Sequence, residues 1–488
     1  MNRDDLMQAV TELDEEVIEQ AAGPYKKKRK WIWAAAAAAV LALAVILPFA
    51  VKQIRSSAQK NETPALRPYA LATPLYPVQL KWEETYHTNK TDTDTERRLS
   101  MGRGQTEPYR AFLGELILKT LEKQEDNAVM SPVNLFFSMA MLSEITDGKT
   151  RTEILNAVGA ADQDELRTAV NKIWEMVYND DGKEKMIPAN SLWLADTLQY
   201  NEGTVNRLAE SYYASVFRGT MGTAAYNSSL QSWINAQTDG ILREEVKSLA
   251  MDKDTDLALV STVLYQTKWA YPFDAQNNKT AVFHGENGDA ETTFMFQQLP
   301  PGTRYYYSDK FAFVQLPNLH SGKVWLFLPD EGVSVQDMMA EDAFRKLISE
   351  KFVEKNYCDP SSGSLRDYQG VGAALVKINL TMPKVDISRT IPLKPLFDSL
   401  GITSCFNAKK ADFSPILKGE EVCLTCAEQT SRIMMDEEGV QAASYVDYLV
   451  GAMKPPEEEV DFTLDRPFFF LITGEDGVPY FAGVMNDP

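Results

Sequence analysis

A run of 21 residues without a single charge, 31–51, "WIWAAAAAAVLALAVILPFAV", constrains this chain more than any other feature. As a helix it reaches about 30 Å, the thickness of a bilayer's hydrocarbon core, so it is expected to cross a membrane once. Lys26, Lys27, Lys28, Arg29 and Lys30 precede it, and only Lys52 and Arg55 follow closely. Positive charge collects on the cytoplasmic side, which predicts a cytoplasmic N-terminus and an extracytoplasmic C-terminal part. A cleaved signal peptide is the competing reading, because Ser56, Ser57 and Ala58 resemble a small-residue cleavage site; the remainder would then be secreted.

The flanks divide the chain further. Residues 1–30 form an amphipathic and basic segment in which Leu6, Val10, Leu13 and Val17 recur at helical spacing before Gly23 and Pro24. That stripe either docks a partner or covers itself near the membrane. Residues 52–68 are polar with prolines, a linker. Residues 69–488 are expected to fold as one domain, with the polar stretch 87–108 as a surface loop inside it.

Composition narrows the function. A hydrophobic content of 44% is ample for a large core, and a net charge of −20 argues against a nucleic-acid surface. Cys358, Cys405, Cys423 and Cys426 are too few for a disulfide scaffold, and a strand sends Cys423 and Cys426 to opposite faces with no further ligands nearby. Core cysteines, no metal site and no cofactor are expected. The three histidines, His87, His284 and His320, sit in no nucleophile, zinc or kinase signature, and no glycine-rich phosphate loop is present, so the chain is not expected to be an enzyme.

Helical patterns such as "YRAFLGELILKTLEK" cluster early and strand patterns such as "VKINLTMPKV" cluster late, which predicts a mixed α/β domain of the α+β kind. One stretch, 436–460, "DEEGVQAASYVDYLVGAMKPPEEEV", is discordant. Val440, Ala442, Ser444, Val446, Tyr448 and Val450 alternate like a buried strand, yet the stretch ends in Pro455, Pro456 and Glu457 to Glu459, like an exposed loop.

The segments "NAVMSPVNLFFSMAMLSEITDGKTRTEI", "SLWLAD", "WINAQTDGILREEV", "LVSTVLYQTKWAYPFD", "LFLPDEG", "INLTMPKVDIS", "LGITSCFNAKKADFSPI", "DEEGVQAAS" and "DRPFFFLI" with "FAGVMNDP" occur in an order and spacing that resembles the serpins, a family of serine protease inhibitors, of the bacterial kind. The resemblance implies a fold of three β-sheets with eight or nine helices and an exposed reactive-centre loop, and a chain acting as a monomer. It implies a mechanism too. A target protease attacks the loop as a substrate, forms an acyl-enzyme, and is trapped when the cut loop inserts into the main sheet. About fourteen inserted residues at roughly 3.3 Å each carry the protease on the order of 45 Å.

By the family's spacing the reactive bond joins Met453 and Lys454. Cleavage after Lys454 is the rival, but Pro455 would follow the cut, and its fixed φ and missing N–H disfavour a trypsin-like target. Elastase-, subtilisin- or chymotrypsin-like proteases fit Met453; cross-inhibition of cysteine proteases would change only the target. Glu457 to Glu459 either meet a basic protease surface or form a solvated loop. The hinge comprises Glu437, Gly439, Val440, Ala442, Ala443 and Ser444, small or flexible residues that can slide into a sheet. Val440 replaces the family's usual Thr or Ser, and Tyr445 and Asp447 are bulkier or more polar than usual.

The family's buried polar cluster, two serines, an asparagine and a histidine beneath the sheet, corresponds here to Ser131, Asn134, Ser261 and Gln429, with Trp269 at the top of the sheet. The runner-up function is a non-inhibitory serpin, a binding or structural surface protein whose loop is merely cut. Because Gln429 stands where the family carries a histidine, loop insertion is expected to change by less than about twofold between pH 6 and 7. Stopped-flow insertion rates across that range test this, and a sharp step there contradicts it.

Overall fold

The computed structural model describes residues 66–77, 100, 104–182, 184–319, 322–357, 367–419, 421–425, 427–440, 458–474 and 476–488. All lie in a unit spanning Lys60–Pro488. The expected span, 31–51, lies outside the described residues, as does the segment 1–30. Among the described residues no helix is long and apolar enough to cross a membrane, and the longest have 15 residues, about 22 Å. The single-pass localisation with a cytoplasmic N-terminus is corrected accordingly and is not carried further.

Nine α-helices occur among the described residues: α1 (Glu107–Leu121), α2 (Pro132–Glu144), α3 (Gly148–Val158), α4 (Gln163–Val177), α5 (Glu202–Ser211), α6 (Ala224–Gln237), α7 (Val335–Ala340), α8 (Asp342–Ser349) and α9 (Lys394–Ser399). The start of α2 is written locally. Ser131 has extended backbone angles, its hydroxyl accepts from the Asn134 amide, and Pro132 occupies the first turn, where its missing N–H costs nothing. Apolar on nearly every side, α2 is buried along its length and forms the centre of the core.

Around it stand three main sheets and one separate ladder. The first sheet runs β1 (Ala70–Ala72), β5 (Ala214–Gly219), β4 (Lys185–Ala195), β6 (Leu257–Lys268) and β16 (Gly439–Val440), with β3 (Asn179–Asp180) paired to β4. The second runs β12 (Gly372–Leu375), β9 (Arg304–Tyr307), β10 (Phe311–Pro317), β11 (Lys323–Pro329), β18 (Phe468–Thr473), β19 (Pro479–Met485) and β2 (Ala128–Met130). The third runs β17 (Glu459–Thr463), β13 (Lys377–Pro383), β8 (Gly288–Gln298) and β7 (Lys279–Gly285). The separate ladder is β14 (Val385–Pro392) with β15 (Glu428–Met435). The three sheets expected from the resemblance are present, and β14–β15 stands apart because among the described residues no strand joins β15 to β6 below β16.

Short elements that periodicity does not reveal extend the fold. Strand β1 covers the edge of β5, and Leu66 is only 1% exposed, so the core already includes residues ahead of the boundary at 69. Further along, the Tyr76 ring lies 5.1 Å from Trp174 and 5.4 Å from Tyr178.

The C-terminal end of α2 is pinned by a buried carboxylate. Glu144, with its side chain 3% exposed, accepts from Arg167, Arg207, Gln163 and Tyr212 at 2.8–3.2 Å. Because removing one member of such a buried set strands the others, Glu144→Ala is expected to cost about 3 kcal/mol, measured by urea unfolding of the uncut protein. A loss near zero would show that α2 is held without this network.

Candidate functional site

Strands β6 and β15 face each other across a slot. Over ten register pairs β6 bonds to β4, and over eight β15 bonds to β14. Between them lies a cavity of about 20 Å³, space for about one water, bounded by Ser131 and Asn134 below, Val263 and Tyr265 from β6, and Ser431 and Arg432 from β15.

The upper end of the slot is occupied by Gly439 and Val440, two of the residues expected to form the hinge. Gly439 pairs with Lys268 and Val440 with Thr267 in antiparallel register. Val440 is 2% exposed. Gly439 has φ 149°, and a Cβ there would sit 2.5 Å from the Lys268 Cα and from the Thr267 carbonyl oxygen. Both the angle and the close approach therefore demand glycine. The turn before it is tied down by the Asp436 carboxylate, which accepts from the Glu438 and Gly439 amides at 2.9 and 3.3 Å.

Trp269 anchors this turn from the neighbouring strand end. It is buried, and its indole N–H donates to the Asp436 carbonyl at 2.8 Å. Its backbone amide donates to the Glu438 carbonyl at 3.2 Å, and the Phe273 amide to the Glu437 carbonyl at 2.9 Å. The other predicted loop residues, Ala442, Ala443, Ser444, Met453 and Lys454, lie outside the described residues.

The predicted polar cluster divides in two. Gln429 and Ser131 exchange paired bonds, the Ser131 amide to Oε1 and Nε2 to the Ser131 carbonyl, both at 3.0 Å. The Ser131 hydroxyl donates to the Tyr480 carbonyl at 2.7 Å. Ser261 sits in a second chain: it donates to Asn190 Oδ1 at 2.7 Å and accepts from Ser138 at 2.6 Å. Among the described residues no direct hydrogen bond joins Asn134 and Ser261. Ser138 stands between them, bonded also to the Asn134 carbonyl, and Asn134 Oδ1 is buried with no hydrogen-bond partner in the structure.

Asn190 and Ser138 were not singled out by the sequence. The only signal for Asn190 was a polar residue amid the buried run of β4. Also missed were the partners of Glu437, whose carboxylate pairs with Lys384 at 2.8 Å and accepts from Asn278. Elsewhere, His284 is exposed beside Asp289 at 2.8 Å. Cys405 is fully buried, which pushes its thiol up to about 12, and Cys423 is half-buried; neither is in a disulfide.

The chain resembles known proteins over most of its length. The family model "Serpin (serine protease inhibitor)" matches residues 110–488, and the chain belongs to that family. Serpin-Z2B of Oryza sativa subsp. japonica is 25% identical over 395 residues, covering 74% of this chain and 91% of the relative. Alpha-1-antiproteinase of Rattus norvegicus is 26% identical over 375 residues, covering 75% and 85%. These relatives are from a plant and a mammal and do not show the bacterial kind that the sequence suggested.

Among solved structures, the thermophilic serpin tengpin in its native state gives a TM-score of 0.64 at 20% identity, covering 78% of this chain and 94% of that one. The complex of thyroxine-binding globulin with thyroxine gives 0.64 at 20% identity, covering 78% and 99%. At such identity these two show the fold alone.

The Glu437 contacts make the hinge sensitive to acid. Burial of its side chain raises its pKa, but hydrogen bonds from Lys384 and Asn278 outweigh that and hold the carboxyl below its usual range. A depressed folded-state pKa contributes stability that is complete above the unfolded value, about 4.3, and is lost as pH falls through the folded one. Wild type is therefore expected to exceed Glu437→Gln in urea stability at pH 7, the two converging below about pH 4. A difference that persists into acid would remove the role assigned to the charge.

Proposed function

We propose that this chain inhibits serine proteases as a suicide substrate. The protease serine attacks the Met453 carbonyl, the peptide bond to Lys454 breaks with Lys454 leaving as the amine, and the Met453 acyl group stays esterified to the enzyme. The cut loop then enters the slot between β6 and β15 and carries the protease with it. The observation that carries this reading is that Gly439 and Val440 are already paired with β6 at the slot's upper end, in the register an inserting strand would continue.

That pairing fixes a register. Continued along β6, it sets Ala442 opposite Tyr265, Ser444 opposite Val263, Val446 opposite Ser261 and Tyr448 opposite Leu259. Ser261 bonds to Ser138 of α2, so in a strand inserted in that register these residues would turn toward the core and Gln441, Ala443, Tyr445 and Asp447 outward. Burial of Val446, Tyr448 and Val450 stabilises the inserted state by roughly 1.5–3 kcal/mol each. Elastase-, subtilisin- and chymotrypsin-like enzymes suit Met453 followed by Lys454 and Pro455.

A second reading, a non-inhibitory serpin with a merely cleavable loop, draws support from Val440, Tyr445 and the sheet-opening positions Asn134, Ser261 and Gln429, which depart from the family's pattern, and from thyroxine-binding globulin, which shares the fold. Mixing the protein with elastase, subtilisin, chymotrypsin and trypsin separates the two. An SDS-stable complex with at least one of the first three is expected, and Val440→Arg, which forces a charge into a buried site, should convert complex formation into plain cleavage. Clean cleavage by all four wild-type mixtures would favour the second reading.

A further inference from the structure

The outer face of the slot carries an ion network that the mechanism above leaves unused. Arg432 on β15 is 24% exposed in its side chain and grips both Asp386 oxygens at 2.9 Å. Asp386 lies on β14, on the same side of the slot, so this pair joins the ladder to itself. The other contacts run across. Arg432 donates to the Ile241 carbonyl at 3.2 Å and lies 3.6 Å from a Glu245 oxygen. Ser388 of β14 donates to that same oxygen at 2.8 Å.

Ile241 and Glu245 belong to the connection from α6 to β6, with Glu245 opening a single 3₁₀ turn, Glu245–Ser248. That connection is carried by α6, which is fixed to the β4 side. The Tyr226 hydroxyl donates to the Leu194 carbonyl at 3.2 Å, and its ring meets Trp193 edge-on at 5.3 Å. One end of the connection is therefore fastened to the β4–β6 half and the other to the β14–β15 ladder. Thr238, Ile241 and Leu242 close the slot from outside.

We propose that Arg432 and Glu245 form a latch across the slot, a pair of positioning residues that sets how readily β6 and β15 part and thereby divides protease encounters between trapping and release. The proposal rests on the inhibitory reading above. An entering strand parts its neighbours by about 4.8 Å. Neither a 3.6 Å ion pair nor a 3.2 Å hydrogen bond reaches across such a displacement, so the latch opens before the strand is seated. Meanwhile water attacks the acyl ester and releases active protease with the cut inhibitor. The faster of the two events decides the outcome, and the latch acts on one of them only.

The test uses the uncut full chain and a fluorescent synthetic peptide copying residues 439–450, its uptake followed by anisotropy. Arg432→Met and Glu245→Ala each remove charge-assisted bonds across the slot, and uptake about tenfold faster than wild type is expected. Glu245→Gln, a milder change that keeps the acceptor for Ser388, should fall between. The same variants should lower the number of inhibitor molecules consumed per trapped protease toward one, a readout that a general loss of stability would not improve. Arg389→Met cuts a 3.0 Å pair with Asp126 that does not cross the slot, and it should take up peptide at the wild-type rate.

Equal uptake in wild type, Arg432→Met and Glu245→Ala, equal acceleration in Arg389→Met, or no uptake by any of them overturns the latch. Complex formation by wild type is scored separately. Accelerated peptide uptake without any SDS-stable complex would therefore remove the inhibitory reading and keep the latch as the control of slot opening.

Discussion

Strand β6 is bonded over ten residues on one side and over two on the other, and much of the molecule is arranged around that imbalance. Backbone N–H and C=O groups inside a protein demand partners, so a sheet that stops short is stable only while something else holds its halves in place. Here three sets of contacts do so. At the top, Trp269 and Phe273 fasten the turn that precedes Gly439. Beneath, the Gln429 side chain ties β15 to the start of α2 through two hydrogen bonds with the Ser131 backbone. Outside, Arg432 reaches the connection that leads into β6.

These holds differ in kind, and the difference tracks burial. The polar side chains that link α2 with β4, β6 and β15 beneath the sheet, Ser131, Asn134, Ser138, Ser261, Asn190 and Gln429, are neutral. A neutral group deprived of its partner costs about 1–3 kcal/mol, whereas a buried charge left alone costs several. Neutral groups can therefore exchange partners as the sheet changes without trapping it halfway. Asn134 Oδ1, buried and unbonded, is an acceptor already waiting on the core side.

Parts of this arrangement were legible in the sequence. Gly439 could be read because one residue type meets two local demands, a positive φ and a backbone approach too close for a Cβ. The alternation from Val440 to Val450 can be seen in the sequence because a strand's period is local, but beyond Val440 it lies outside the described residues. Ser131 and Gln429 became readable through the family resemblance, since 298 residues separate them and no periodicity links positions so far apart. Asn190 meets Ser261 only because β4 and β6 pair in one particular register, and a one-residue slip would turn it to the other face. Strand β1 is three residues long, too short for a period to show. Lys384 and Asn278 looked like ordinary surface residues until the fold brought them to Glu437.

The same limit explains why the charged contacts across the slot were illegible, and it bears on what they do. In a chain with 69 acidic and 49 basic residues, a Glu and an Arg distant in sequence carry no mark of their pairing. Their placement at the outer surface, with side chains 24% and 18% exposed, lets each return to water when the pair breaks, so separation costs less than it would beneath the sheet. A contact of that kind is strong enough to delay a strand and weak enough not to forbid it. On the proposed mechanism, the neutral groups below let the sheet expand and the charged groups above set when it does.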